Sequence, residues 1–222
     1  MSNSTLENKR KITDGIVRNK ERTKQKMIDA VGEVLKEKGY AGLTINNIVN
    51  QAKVDRKLVG LYFGNVNHLI EEFLHRRDYW MTKVAPKIQT VVEQTNNFGQ
   101  NEITSILHTL YDEVSNSTDL QKILSWEVSE YQDKLRTLAD SREELGKELF
   151  KLTDKDFART NIDLRAILAL QISGIYYLIL HANANGSTFC GIDIKTADGQ
   201  KSIKDALVTV VDLVYKERIT QK

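Results

Sequence analysis

Apolar residues along this chain recur mostly at spacings of three and four, and period-two runs are scarce, so the pattern predicts helices. From Glu21 to Lys38, the residues Met27, Ala30, Val31, Val34 and Leu35 make one stripe. Lys36 and Lys38 close its last turn, where cations favour the helix dipole, and Gly39 follows as a C-cap. Thr44 then suits the N-cap of a short helix with Ile45, Ile48, Val49 and Ala52 inward and Asn46, Asn47, Asn50 and Gln51 outward. The chain turns at Lys53-Val54, and Asp55 caps a second short helix from Arg56 to about Phe63. Val59 and Phe63 lie on its inner face, leaving Arg56, Lys57, Gly60 and Leu61 outside. A break at Gly64-Asn65 precedes a longer helix from near Asn67, whose Leu69, Ile70, Phe73 and Leu74 close a small core. That helix is expected to run through Trp80 and Lys83 towards Pro86, where the domain junction is placed.

Beyond Pro86 the spacing predicts amphipathic helices over Glu102–Val114, Leu120–Leu138 and Arg142–Leu152, with loops at Asn96–Gly99 and Asn116-Ser117. Asp163–Asn183 is apolar nearly all round and reads as a helix buried on more than one side. Its longest apolar run, Ala166–Leu180, is interrupted by Gln171 and Ser173 and is too short for a membrane span. A loop over Asn185–Gly199, extended in part at Thr188–Ile194, leads to a last helix over Gln200–Arg218. Ile203, Ala206, Leu207, Val210, Val211 and Val214 form its main stripe, and Val208 and Leu213 add a second apolar surface. Surplus apolar surface on the last two helices predicts a partner, most simply a second copy of the chain.

Composition sharpens this outline. The 222 residues are 41% apolar and 28% charged, with one Pro, which fits a soluble, mostly helical protein with enough material for a real core. A single cysteine, Cys190, excludes an internal disulfide framework and a multi-cysteine metal site and fits a reducing cytoplasm. The leading MSNSTLENKRK has no apolar core of an export signal, so a cytoplasmic location is expected. Net charge is only +2, but it is unevenly spread: residues 1–80 hold 15 Lys/Arg against 10 Asp/Glu, and the rest hold 17 against 20. A basic front suggests a polyanionic partner there. Residues 1–20, with Lys9, Arg10, Lys11, Arg18 and Lys20, read as a flexible basic arm.

Two short helices joined by a turn of three or four residues make a helix-turn-helix, and the second is the size of element that enters the DNA major groove. The sequence resembles the TetR family of bacterial transcription regulators over residues 21–75. The resemblance is carried by Lys38-Gly39-Tyr40, Leu43-Thr44-Ile45, Ile48-Val49, Ala52-Lys53-Val54, Tyr62-Phe63 and Leu69-Ile70. It implies an all-α fold: a three-helix DNA-binding domain over 21–80, then a helical ligand-binding and dimerisation domain over 81–222. It implies a homodimer that represses a promoter through double-stranded operator DNA and is released by a small molecule. It also places Thr44 at a phosphate and Arg56, Lys57, Leu61 and Tyr62 at or near the groove. The chain departs from the usual family pattern at four positions. Lys53 and Lys57 stand where Gly or a small residue is usual, Gly60 where an aromatic is usual, and Val66 where a phosphate-contacting Lys is usual.

The candidate DNA-binding set is therefore Thr44, Asn46, Lys53, Arg56, Lys57, Gly60, Leu61 and Tyr62. Arg56 is the best candidate for a guanine, because its fork matches that base's two acceptors. In the body, His108, Tyr111, Trp126, Tyr131, Gln171, Tyr176 and Tyr177 are candidates for lining a pocket, since a small ligand needs an apolar cavity with a few polar groups. Gln171, within an apolar helix, must find a hydrogen bond when buried. The four histidines, at 68, 75, 108 and 181, show no metal-ligand spacing. No phosphate-cradling glycine loop, nucleophile elbow or paired catalytic set is present, so no cofactor and no enzymatic activity are expected. The competing reading is a protein-interaction or small-molecule-sensing module whose helix-turn-helix has decayed at Gly60 and Val66.

Overall fold

The computed structural model describes residues 4–87, 99–186 and 188–220. Among these residues every element is helical except an isolated bridge between Phe189 and Ile192. The chain divides into two compact units, Met1–Arg76 and Arg77–Lys222.

The first unit holds α1 (Ser4–Lys38), a 3-10 turn (Tyr40–Gly42), α2 (Ile45–Ala52), α3 (Lys57–Phe63) and α4 (Val66–Arg77). Helix α1 begins at Ser4, well before the stripe read from the sequence, and so runs through most of the basic arm. The side chains of that arm up to residue 18 lie outside the described residues. The stripe is buried as spaced: Met27 and Val31 are fully enclosed and Val34 and Leu35 nearly so, and Ile48 of α2, Val59 of α3 and Phe73 of α4 are likewise fully buried. Helix α1 ends where Gly39 adopts φ 65° and returns its N–H to the Leu35 carbonyl at 3.1 Å. Gly42 is constrained by space, since a Cβ there would lie 2.3 Å from the Lys38 Cβ.

The second unit begins with α5, described over residues 79–87 and containing a π-helical turn at Trp80–Val84. It continues with α6 (Gln100–Asn116), α7 (Thr118–Ser129), α8 (Asp133–Phe157), α9 (Leu164–Asn185) and α10 (Ala197–Thr220). Helix α6 is central and packs against α7, α9 and α10. Its Leu107, Leu110, Tyr111 and Val114 meet Ile175 and Ile179 of α9 and Val211 of α10 in one core.

Four elements differ from the pattern-based expectation. The helix expected to run from Asn67 to Pro86 is cut at Asp78. The Asp78 carboxylate accepts the Met81 N–H at 3.0 Å and its carbonyl accepts the Thr82 hydroxyl, so it caps a new helix instead of continuing the old one. The helix expected over Leu120–Leu138 is broken at Glu130, whose backbone is extended, and the following segment fuses with the next into the single helix α8. Neither Gly nor Pro marks that break; Glu130 instead accepts from the indole of Trp126 and the amide of Gln132. Finally, α9 is not covered all round within one chain, because Leu170 is 74% and Tyr177 54% exposed. After α9, the segment expected to be extended makes a tight turn. Cys190 and Gly191 both take positive φ, and Phe189 and Ile192 exchange two backbone hydrogen bonds.

Candidate functional site

Helices α2 and α3 form the predicted helix-turn-helix. Thr44 caps α2 by accepting the Asn47 N–H at 3.3 Å. Asn47 adds support, donating to the Gly42 carbonyl at 2.8 Å and accepting from Lys38 at 3.2 Å. At the other end of α2 the turn is left-handed: Lys53 has φ 54° and ψ 51°. That conformation costs a side-chain-bearing residue about 1 kcal/mol or more. It explains why glycine suits this position, and why a lysine here needs another reason. Asp55 opens α3 by accepting the Lys57 N–H at 2.7 Å.

The eight candidate DNA-binding residues fall on this one motif. Thr44, Asn46, Lys53, Arg56, Lys57, Gly60 and Leu61 are exposed, Leu61 at 71%. Asn46 and Arg56 meet across the motif, with the guanidinium donating to the amide oxygen at 3.3 Å. Among the described residues, neither Lys53, Arg56 nor Lys57 has a carboxylate partner, so all three charges are available to a polyanion. Tyr62 is half-buried, and the Lys20 ammonium lies 5.7 Å above its ring. Gly60 faces open space, with nothing within 4 Å of where a Cβ would stand, so its lack of a side chain is not a packing requirement.

The second unit contains a cavity of about 540 Å³, within the range of small-molecule pockets. Its walls are largely apolar, with Ile103, Ile106, Leu107, Leu149, Leu168 and Ile172 among them. Its polar lining includes Glu127, Arg142, Glu143, Lys147 and Arg165, and Arg142 joins the wall to a buried ion triad. Asp78 is fully buried, and Arg142 places both Nε and Nη2 on the same Asp78 oxygen at 2.8 and 2.6 Å. The Arg142 Nη1 donates to Glu127 at 2.7 Å. Burial opposes the charge of Arg142, but Asp78 and Glu127 outweigh it and hold the guanidinium above its ordinary value. Beside the triad, the Trp80 indole donates to the Tyr176 hydroxyl at 2.8 Å. Burial pushes that hydroxyl up to about 12, against the downward pull of Trp80 and Arg142.

Of the seven residues proposed for a pocket, only Tyr176 lines this cavity. Tyr111 and Trp126 are buried in the core instead. His108 faces the Lys204 carbonyl of α10 at 3.3 Å. Gln171 donates from Nε2 to the Leu207 carbonyl at 3.1 Å, while its Oε1 is buried without a hydrogen-bond partner. Tyr131 points to solvent and donates to Asp133. Tyr177 stacks on His181 at the surface and meets the Phe189 ring edge-on. Glu127 and Arg142, which supply polar groups to the wall, and Asp78 behind them carry no signal in the sequence, since each reads there as an ordinary polar position on an amphipathic helix. Among the described residues no cluster of His, Cys, Asp or Glu could hold a metal ion.

No model of a known protein family matches the sequence, and no curated protein matches it. Solved structures do. NalD of Pseudomonas aeruginosa, the secondary repressor of the MexAB-OprM multidrug efflux pump, is 18% identical, with a TM-score of 0.58 over 85% of this chain and 95% of that one. The fatty acid degradation regulator FadR of Bacillus halodurans is 15% identical, with a TM-score of 0.61 over 84% of this chain and 94% of that one. A putative TetR-family transcriptional regulator of Vibrio parahaemolyticus is 15% identical, with a TM-score of 0.53 over 85% of this chain and 97% of that one. The chain has the all-helical fold of TetR-type regulators.

Proposed function

We propose that this chain is a ligand-responsive transcriptional regulator, a repressor that binds operator DNA as a cytoplasmic homodimer through residues 44–63 and leaves it when a small molecule enters the cavity. The observation that carries the reading is the face of α2 and α3, which gathers Lys53, Arg56 and Lys57 without carboxylate partners around an exposed helix start. Base edges are read by side chains near the start of such a helix, while hydroxyls, amides and cations around it hold phosphates. Arg56, steadied by Asn46, is placed as the base reader; Thr44, Lys53 and Lys57 are placed as phosphate contacts. The regulators NalD and FadR, which share the fold, support a role in transcription. Exposed Leu170 and Tyr177 on α9 and Leu213 on α10 support a second copy as the partner of those helices. Helix α9 is also long and apolar enough to cross a membrane, but the same exposed face suits a dimer equally well and needs no lipid.

A second reading, a sensing module that has lost DNA binding, draws on Gly60, which puts no side chain on the reading face, and on Val66, which puts no charge at the start of α4. One experiment separates the two. Duplexes selected by the protein from a random pool are titrated at several salt concentrations. If residues 44–63 read DNA, log affinity falls linearly with log salt at about 0.9 per phosphate neutralised. Replacing Arg56→Ala together with Lys57→Ala should then weaken binding by about tenfold or more. Absence of binding at low salt, or an unchanged affinity in the double variant, selects the sensing module.

A further inference from the structure

We propose that Leu61 is a specificity-determining residue of the helix-turn-helix: its side chain recognises the 5-methyl group of a thymine in the DNA major groove. The inference rests on the reading of residues 44–63 as the DNA-binding motif and adds a base that the motif selects.

Lys57, Gly60 and Leu61 stand at i, i+3 and i+4 of α3, so they share one face of that helix, while Val59 is fully buried on another. Leu61 is 71% exposed, the most exposed large apolar side chain among the described residues of the first unit; the next is Tyr40 at 37%. Gly60 beside it has nothing within 4 Å of where a Cβ would stand, so the surface next to Leu61 is open down to the backbone. The charged neighbours are cations. Arg56 and Lys57 precede Leu61 on the exposed side and have no carboxylate partner among the described residues. Asp55, the nearest carboxylate in sequence, accepts the Lys57 backbone N–H at 2.7 Å.

An exposed leucine gains free energy only where it loses contact with water. An apolar protein partner covering Leu61 would bury Arg56 and Lys57 with it, at a desolvation cost that nothing apolar returns. A duplex has no such cost, because its phosphates meet the cations. In the major groove the bases present mostly hydrogen-bonding atoms, which a leucine can neither donate to nor accept from. The apolar group presented there is the thymine 5-methyl. The two ends of the exposed face thus divide the reading by chemistry, with the Arg56 fork matched to guanine and the Leu61 hydrocarbon matched to thymine.

The test starts from duplexes that the full-length protein selects from a random pool. They are resynthesised with deoxyuridine in place of every thymine, which removes the 5-methyl group and keeps the hydrogen-bonding edge. Affinity is measured by fluorescence anisotropy at one salt concentration. Each methyl that Leu61 covers is worth about fourfold, so the wild-type protein should lose at least that much on the deoxyuridine duplex. Leu61→Ala should bind the thymine duplex more weakly than the wild type does, and should bind the two duplexes within about twofold of each other. Selected duplexes that share no thymine, equal wild-type affinity for the two duplexes, or full sensitivity to deoxyuridine kept in Leu61→Ala would each overturn the proposal. So would an unchanged affinity of Leu61→Ala for the thymine duplex, which would leave the side chain free for a protein partner. The wild-type comparison stands even if the variant fails to fold. A pool that yields no bound duplex at low salt removes the regulator reading and this inference with it, whereas salt-dependent binding without methyl sensitivity removes this inference alone.

Discussion

Two arginines of this chain sit in opposite environments. Arg56 lies on the exposed face of the helix-turn-helix, bonded to a single neutral amide at 3.3 Å. Arg142 lies inside the body, clasped by two carboxylates at 2.6 to 2.8 Å, one of them fully buried. The first can be removed with little cost to folding, because solvated charges contribute little to stability. The second holds its surroundings together, because removing it would leave a fully buried carboxylate and a partly buried one without compensation. So the unit with the helix-turn-helix keeps its charge loose and available, whereas the unit with the cavity keeps its charge locked in an ion triad. The contrast can be broken or sharpened experimentally, since both tryptophans, Trp80 and Trp126, lie in the second unit. Tryptophan emission thus reports on the body alone, while circular dichroism reports on all helices.

The largest effect is expected from Arg142→Met. It should destabilise the body by about 3–5 kcal/mol, seen as an earlier urea transition in tryptophan emission. Arg56→Ala should leave that transition where it is. Combining Arg142→Met with Asp78→Asn and Glu127→Gln should recover most of the loss, because the acids no longer need a counter-charge. A loss below about 1 kcal/mol in the single variant would mean that water already screens the triad as it does a surface pair.

Alkali should act next, and on the body. Burial raises the Tyr176 and Tyr215 hydroxyls from their ordinary 10 to about 12, with Tyr79 raised still further. A raised value means the folded state prefers the neutral phenol. The stabilisation is therefore complete below pH 10 and is lost as pH climbs through about 12. A tryptophan-monitored transition in that window is expected. Its absence, with phenolate absorbance appearing at pH 10 instead, would show that these tyrosines are open to solvent.

The two regions were also unequally legible in the sequence. The helix-turn-helix is built from short-range signals. Thr44 bonds a residue three positions on, Gly39 closes on Leu35, and Ile48, Ala52 and Val59 bury themselves by spacing alone. Its candidate residues therefore came out together on one surface, though the constraint at Gly42 gave no sign because it depends on Lys38 of the preceding helix. The cavity is built from long-range signals. Asp78 breaks a helix and meets Arg142 from 64 positions away, a pairing that no local pattern encodes. Choosing pocket residues by aromatic character found Tyr176 but also gathered Tyr111 and Trp126, which serve the core. Helix periodicity could not show the break at Glu130 either, since side-chain bonds from Trp126 and Gln132 stand in for a Gly or Pro.

Within the first unit, Gly60 gives a smaller and cleaner test. A Cβ there meets nothing within 4 Å, so Gly60→Ala should stabilise α3 by about 1 kcal/mol through helix propensity alone. The gain should appear in the helical signal of the first unit and not in tryptophan emission. If Gly60→Ala instead weakens DNA binding while raising stability, the bare backbone at this position is in close contact with the duplex.

The smallest effect is expected at Lys53, where stability and charge pull in opposite directions. Its left-handed backbone disfavours any side chain with a Cβ, yet the residue is a lysine with an exposed, unpaired ammonium. Lys53→Gly relieves the strain but frees the unfolded chain, so the net gain should be only about 0.5–1 kcal/mol. If the ammonium holds a phosphate, the same change should lower affinity for all duplexes alike and reduce the salt slope by about one. Lys53→Asn is the control, because asparagine tolerates the left-handed region and carries no charge. Both variants should lose the same share of salt dependence although their stabilities differ. A salt slope unchanged in both would mean that the strained lysine meets no phosphate, and that the turn tolerates it without a return in binding.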